Sequence, residues 1–221
     1  MSVTDRRLRE RAQRHDLIVA AARDLAEAEG WEAVTTRRLA ALVEYSQPVL
    51  YSHFDGKDAI VRAVALEGFA DLADRLRRAR SAAEAPRSAL RAVCGAYLTF
   101  AAERPALYEA MFVLPIDLKF ASDDTPSALK AAFAELVEAL KPFDAHADLR
   151  AEVAWAALHG LAVLRRGGRI PPEGQESRLD LLVNQIVNDR GGRPGEGPLR
   201  PFRRRGLAAA RDAAPRWACS S

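Results

Sequence analysis

The 221-residue chain is predicted to be all-α, and three observations carry that prediction. Ala and Leu dominate an apolar content of 49%, and these two residues lose little on entering a helix. Apolar residues recur at i, i+3 and i+4 along most of the chain, the period of an amphipathic helix. Alternating runs of Val, Ile and Thr, which would mark strands, are absent over any useful length.

Residues 1–14 read as a basic arm, with Arg6, Arg7, Arg9, Arg11 and Arg14 against Glu10 between positions 6 and 14. A helix follows whose inner face is Leu17, Ile18, Ala21, Ala22, Leu25 and Ala26, and Gly30 ends it. Thr36 is the expected N-cap of a short second helix in which Leu39, Ala40, Leu42 and Val43 face inward. The chain turns at Glu44-Tyr45. Ser46 then caps a third helix of about two turns, with Pro48 suited to its first turn. A longer helix over about 57–80 carries Ile60, Val61, Val64, Leu72 and Leu76 on one face and Leu66, Phe69 and Ala73 on another, so it is expected to pack on two sides. Pro86 opens the next helix, and a short one covers Ala106 to Phe112. Another holds Leu129, Ala132, Phe133, Leu136, Val137 and Leu140 and stops at Pro142. The last two cover about 147–166 and 175–189, separated by Gly167-Gly168 and Pro171-Pro172.

The charge distribution is more informative than the net value of +3. Eight Arg against Glu196 and Asp212 lie in residues 190–221, so the rest of the chain is slightly acidic. Overall basicity therefore says little about nucleic acid, and local basic segments say more. With five Gly and four Pro, residues 190–221 read as a disordered basic tail. Cys94 and Cys219 are far apart and without metal-ligand spacing; Cys94 is expected to be a buried thiol. The N-terminus has no apolar core for a signal peptide, and the longest apolar run, around 153–164, is too short to cross a bilayer. A soluble cytoplasmic protein with no membrane partner is expected.

Two short helices joined by a tight turn have the layout of a helix-turn-helix reader. Within 36–55 and its flanks stand Thr35-Thr36, Ser46-Gln47-Pro48, Leu50-Tyr51, His53-Phe54 and Lys57. This segment resembles the DNA-binding part of the TetR family of regulators over roughly residues 15–65. The resemblance implies a three-helix reading domain over 15–60 and a larger helical sensing and dimerisation domain over 61–189. It implies that Thr36 offers its hydroxyl and a helix N-terminus to phosphate, and that Tyr51, His53 and Lys57 also meet the backbone. Gln47, Pro48 and Val49 would enter the major groove, where Gln can pair with adenine and Pro and Val can touch a thymine methyl. Arg37 and Ser46 complete the expected contact set, while Leu50 and Phe54 are core. The basic arm either reaches DNA or is a solvated, frayed start. The chain departs from the family at Glu44, where Gly is common. If the turn there is left-handed, a side chain costs on the order of 1 kcal/mol.

Further along, Trp155-Ala-Ala-Leu158-His159-Gly160 and the stretch from Tyr97 to Phe112 resemble a regulatory domain of the same family with a Trp/His-Gly signature. That resemblance implies a dimer built on the last two helices, with Leu158, Leu161, Leu182 and Ile186 at the interface. It also implies an effector pocket among Tyr97, Phe100, Tyr108, Met111, Phe112, Phe133, Trp155 and His159. His159, a lone polar residue on an apolar helix, either bonds a ligand or is satisfied within the core. The partners expected are double-stranded operator DNA, a second copy of the chain and a small-molecule effector. Neither a cofactor nor a metal is expected: His15, His53, His146 and His159 lack metal spacing, and the sequence has no phosphate-binding Gly-rich loop or nucleophile elbow. An enzyme is therefore not expected. The expected function is a ligand-responsive repressor acting as a homodimer on a palindromic site, with a ligand-independent architectural DNA-binding protein as the alternative.

Overall fold

A computed structural model describes residues 3–120 and 122–188, all within a unit spanning Met1–Arg190; a second unit covers Gly191–Ser221. The expected tail and Cys219 lie outside the described residues. Among the described residues the chain forms nine α-helices and no strand: α1 (Val3–Glu29), α2 (Thr36–Leu42), α3 (Gln47–Tyr51), α4 (Lys57–Ser81), α5 (Pro86–Glu103), α6 (Pro105–Phe112), α7 (Ser127–Leu140), α8 (Ala147–Arg166) and α9 (Gln175–Asn188). A 3-10 turn at Trp31–Ala33 links α1 to α2. No helix among the described residues is long and apolar enough to cross a membrane.

The segment expected to be an arm is instead the first part of α1, which runs unbroken from Val3. Arg, Leu, Gln and Ala there are good helix formers, and Glu10 reaches both Arg6 and Arg14 at 3.7 Å across single turns. Further along α1, Ile18, Val19, Ala22, Leu25 and Ala26 are buried. They join Val34, Leu39, Ala40, Val43, Leu50 and Phe54 in the apolar core. Leu17 and Leu42, expected inward, are 47% and 55% exposed. Each sits one position off its helix's buried stripe, so proximity in sequence misplaced them.

Thr35, not Thr36, caps α2: its hydroxyl accepts from the Arg38 N–H at 3.2 Å. At the other end of α2, the Tyr45 N–H donates to the Ala40 carbonyl at 2.9 Å, bridging a residue with positive φ. That residue is Glu44, at φ 56°, the one non-Gly described residue in the left-handed region. This six-to-one closure is a Schellman turn, which favours Gly at this position.

Helix α4 is the axis of the larger half. It buries Ile60, Val61, Val64 and Ala65 near its start, then Phe69, Leu72, Ala73 and Leu76 against α5, α6 and α7. Gly68 permits the close approach of α6, because a Cβ there would lie 2.6 Å from Met111 Sδ and 2.8 Å from Leu107 Cδ1. Ion pairs tie the helices at their rims: Arg75 to Glu103 at 2.9 Å and Arg80 to Glu135 at 2.8 Å. Proline at the first position opens both α5 and α6, where the missing N–H costs nothing.

Replacing Glu44 with Gly is expected to stabilise the fold, by up to about 1 kcal/mol once the greater backbone entropy of Gly is subtracted. Thermal melting checks this; a lower melting temperature would contradict a strained turn.

Candidate nucleic-acid interface and central cleft

Helices α2 and α3 meet at the surface. Gln47 and Pro48 in the first turn of α3 are exposed, Val49 is half-buried, and Leu50 anchors the helix in the core. One turn on, Tyr51 is 53% exposed, and its hydroxyl lies 3.5 Å from Thr36 Oγ1 at the start of α2. Gln47, Pro48 and Tyr51 therefore share an exposed edge with Thr36 and the exposed Arg37. Ser46 precedes α3 without a side-chain capping bond, so its hydroxyl is not used in closing the helix. Arg38, in contrast, is engaged by the Glu29 carboxylate through two guanidinium bonds and braces α2 against α1.

One expected backbone contact, Lys57, has a structural partner as well. Lys57 Nζ donates to the Trp31 carbonyl at 2.6 Å, which fixes the first residue of α4 to the turn before α2. The ammonium has three N–H donors, so this bond leaves two for phosphate. Partial burial holds the His53 imidazole below its ordinary range, helped by the positive charges of Arg11, His15 and Arg14. Arg11 also donates to the Ser52 carbonyl at 3.3 Å, so the extended α1 brings a cation to the end of α3.

The larger half encloses an open cleft of about 380 Å³. Met111 and Phe112 of α6 and Trp155, Ala156 and His159 of α8 form its helical walls. The remaining wall is Leu114, Ile116, Leu118 and Phe120, from the segment after α6. There the Ile116 N–H donates to the Leu114 carbonyl and the Leu118 N–H to the Ile116 carbonyl, each at 2.8 Å. These successive γ-turns send alternate residues to one side, and Pro115, Asp117 and Lys119 are exposed between the apolar ones.

Four of the eight expected pocket residues line this cleft: Met111, Phe112, Trp155 and His159. Tyr97 and Tyr108 are buried behind it, their hydroxyls 2.8 Å apart, and burial pushes the Tyr97 phenol up to about 12. Phe133 is half-buried against the core and meets Trp155 edge-on, with ring centroids 6.4 Å apart, outside the cleft lining. Phe100 is fully buried with the Arg75 guanidinium 5.4 Å from its ring, outside the cleft lining. Its burial is on α4's side because α5 is apolar on more than one face. The wall at 114–120 has no helical period. Its signal is a period of two, Leu114, Ile116, Leu118 and Phe120, without the β-branched character of a strand.

Of the residues expected at a dimer interface, Leu158 and Ile186 are buried in the chain's own core, and Leu161 and Leu182 are half-buried. The exposed large apolar residues of the last two helices are instead Leu149, Val153 and Leu164 on α8 and Leu181 on α9. Cys94 is buried, as expected, and its thiol is raised to about 12 by desolvation.

One helix joins the cleft to the reading surface. The carboxylate of Glu27, on α1, accepts from the Ala106 and Leu107 N–H groups at 3.1 and 3.0 Å, capping the first turn of α6. Beside it, the Trp31 indole N–H donates to the Ala106 carbonyl at 2.8 Å. The other end of α6 carries Met111 and Phe112 into the cleft.

Fold and site together define a helix-turn-helix DNA-binding regulator with a helical C-terminal body. The sequence matches the model for "Bacterial regulatory proteins, tetR family" over residues 18–64, and that for "Tetracyclin repressor-like, C-terminal domain" over residues 90–187. The chain belongs to the TetR family of transcriptional regulators. It is 29% identical over 156 residues to an uncharacterised HTH-type transcriptional regulator, Rv0681, of Mycobacterium tuberculosis, covering 68% of this chain and 69% of that one. A protein of unknown function from Rhodococcus sp. RHA1 has the same fold, with a TM-score of 0.68 and 24% identity over 80% of this chain and 94% of that one. So does a TetR variant from Acinetobacter baumannii AYE solved with minocycline: the TM-score is 0.57 and the identity 21%, over 79% of this chain and 96% of that one.

Burial lowers the imidazole pKa of both His53 and His159. The unfolded chain then takes up protons first, so stability is fully present above about pH 6.5 and declines as pH falls through the lowered folded-state values. A His53→Gln/His159→Gln double variant is expected to show a flatter melting temperature between pH 7 and pH 5 than the parent; an equal slope would exclude these groups.

Proposed function

We propose that the protein is a ligand-responsive repressor, acting in the cytoplasm as a homodimer on a palindromic operator. The observation that carries this reading is the placement of α6, whose capped N-terminus rests on the DNA-reading domain while its C-terminus lines the cleft. A ligand that repositions Met111 and Phe112 moves the same short helix that Glu27 and Trp31 hold. Gly68 brings α6 against α4, so the displacement reaches the start of α4 and, through Lys57 and Trp31, the reading helices. The free dimer holds its recognition helices one DNA turn apart, and the bound form loses that spacing. The exposed stripe of Leu149, Val153, Leu164 and Leu181 supports a two-fold interface of α8 and α9, because apolar residues clustered on one face mark association surfaces. The Acinetobacter baumannii relative, solved with minocycline, supports small-molecule sensing by a body of this fold. A ligand-free architectural role leaves the cleft without a purpose.

Selection of bound sequences from random DNA, with light scattering on the protein, tests the proposal. A two-fold symmetric site and a dimeric mass are expected, and sequence-blind binding would overturn it. Within that assay, Tyr51→Ala should weaken all sequences alike by roughly 1 kcal/mol, whereas Gln47→Ala should change which base is preferred. An unaltered preference would remove Gln47 from the readout.

Glu27 is a positioning residue for the coupling. Glu27→Ala leaves two helix-terminal N–H groups without their acceptor and should cost about 1–2 kcal/mol of stability. It should also reduce the effect of bound ligand on DNA affinity while leaving ligand affinity within about twofold. Glu27→Gln, which retains one carbonyl acceptor, should fall between; unchanged coupling in both variants would show that α6 is not the link.

A further inference from the structure

A hydrogen-bonded chain runs from Trp155 in the cleft wall through two buried tyrosines to His159 in the same wall. The Trp155 indole N–H donates to the Tyr97 hydroxyl at 3.1 Å. The Tyr97 and Tyr108 hydroxyls lie 2.8 Å apart, and the Tyr108 hydroxyl lies 2.7 Å from His159 Nδ1. Tyr97 and Tyr108 are 1% and 2% exposed, so water is not a ready alternative partner for either ring.

The chemistry of one end fixes the direction of the whole chain. An indole N–H can only donate, so Tyr97 accepts from Trp155. The hydroxyl proton of Tyr97 then has one acceptor within reach, the oxygen of Tyr108. Tyr108 must in turn pass its own proton toward His159 Nδ1. The reverse direction would leave the Tyr97 proton without an acceptor in a buried site, which native interiors avoid. Nδ1 of His159 is therefore an acceptor. The imidazole is neutral, with its hydrogen on Nε2, and desolvation of the ring works in the same sense.

The Nε2–H has no protein partner among the described residues, and His159 lines the cleft. It is the only imidazole, amide, hydroxyl or charged side chain in that lining; the others are aliphatic, aromatic or thioether, apart from the indole already engaged with Tyr97. An anion would give up its hydration there with no cation to replace it. A neutral carbonyl oxygen needs one donor, and the side chains of the lining offer one that is not already engaged.

We propose that the cleft binds an uncharged, largely apolar carbonyl compound, a ketone, ester or lactone, whose oxygen accepts a hydrogen bond from His159 Nε2, with the tautomer set by the Trp155–Tyr97–Tyr108 chain. This rests on the cleft being the effector site of the proposed regulator and specifies what that site takes. Tyr108 holds the imidazole and Tyr97 orients Tyr108, both as positioning residues behind the lining, while Trp155 anchors the chain and also forms part of the cleft wall.

The test begins without ligand. Nitrogen chemical shifts of the imidazoles in the full chain, with the His159 signal assigned by its loss in His159→Phe, should report the Nε2–H tautomer at neutral pH. An Nδ1–H or cationic ring overturns the proposal. Calorimetry then compares benzophenone, diphenylmethane and 4-benzoylbenzoate, which share a skeleton and differ in acceptor and charge. Benzophenone should bind about five- to tenfold more tightly than diphenylmethane, the worth of one hydrogen bond, and more tightly than the carboxylate. His159→Phe should equalise the ketone and the hydrocarbon, and Tyr108→Phe should reduce their ratio while melting as a folded protein. A preference for the carboxylate, a ketone preference that survives His159→Phe, or no binding of either neutral compound overturns the proposal. Occupancy of the selected DNA site is read separately with benzophenone bound: unchanged occupancy counts against ligand-responsive repression and leaves the ligand class standing.

Discussion

The first turn of α6 points the Ala106 and Leu107 N–H groups at a carboxylate that lies 79 and 80 residues earlier in the chain. Local sequence cannot supply this cap. Arg104 occupies the N-cap position with no side-chain bond to offer, Pro105 follows it, and a single residue separates α6 from α5. Every helix leaves N–H groups over in its first turn, and those at a buried start must find an acceptor. Glu27 meets that need, and in doing so makes the position of the C-terminal body depend on α1 of the helix-turn-helix part. The Trp31 indole on the adjacent carbonyl and Lys57 on the Trp31 carbonyl extend the constraint to the start of α4. A negative charge at a helix N-terminus is also favourable in itself, so the clamp is held by the field of α6 as well as by two bonds.

That arrangement explains why the reading half can be so small. Helix α3 has five residues, too few to be stable alone. It depends on Leu50 and Phe54 in the core, on the Arg38–Glu29 brace of α2, and on the contact of Arg11 with the Ser52 carbonyl. The strained turn at Glu44 sits between α2 and α3, where a left-handed residue sets the angle between them. Holding a charged side chain in that conformation sacrifices some stability at the point that orients the exposed Gln47 and Pro48.

Much of this was legible in the sequence, and what was not has physical causes. The reading segment was legible through its resemblance to the family, and Thr35, Pro48 and Tyr51 fit it locally as a cap, a first-turn proline and an exposed residue. The strained turn followed from one residue, Glu44, standing where a left-handed backbone is wanted. The C-terminal body was harder, because α4, α5 and α8 are apolar on more than one face. Periodicity then reports that Phe100, Leu158 and Ile186 are apolar without saying which neighbour each one meets. Phe100 proved to be core under Arg75, and Leu158 lies in the chain's own interior. The Glu27 clamp had no sequence signal at all, since nothing at position 27 points to position 106. The cleft wall at Leu114 to Phe120 did have one, a period of two, but it belongs to a γ-turned ribbon that neither helix nor strand reasoning looks for.

The composition of that wall bears on how a ligand can be sensed. A bound molecule shifts a conformational equilibrium only by the difference in its affinity for the two states. Walls made solely of packed helices would offer little difference, because close-packed interfaces resist small displacement. Here one wall is helical and the other is an extended ribbon in which the Ile116 and Leu118 N–H groups bond to carbonyls two residues back. If the cleft takes an effector as proposed, such a ribbon could close on it without breaking a helix. Its closure changes what Phe112 packs against at the C-terminal end of α6, where Tyr108 at 4.8 Å and Trp155 at 5.9 Å between ring centroids are already neighbours. In the proposed regulator, the ribbon wall would supply the difference in affinity, and the remotely capped α6 would convert it into displacement at the reading half. Each element would be a poor sensor alone, and their junction at Phe112 is where the two properties meet.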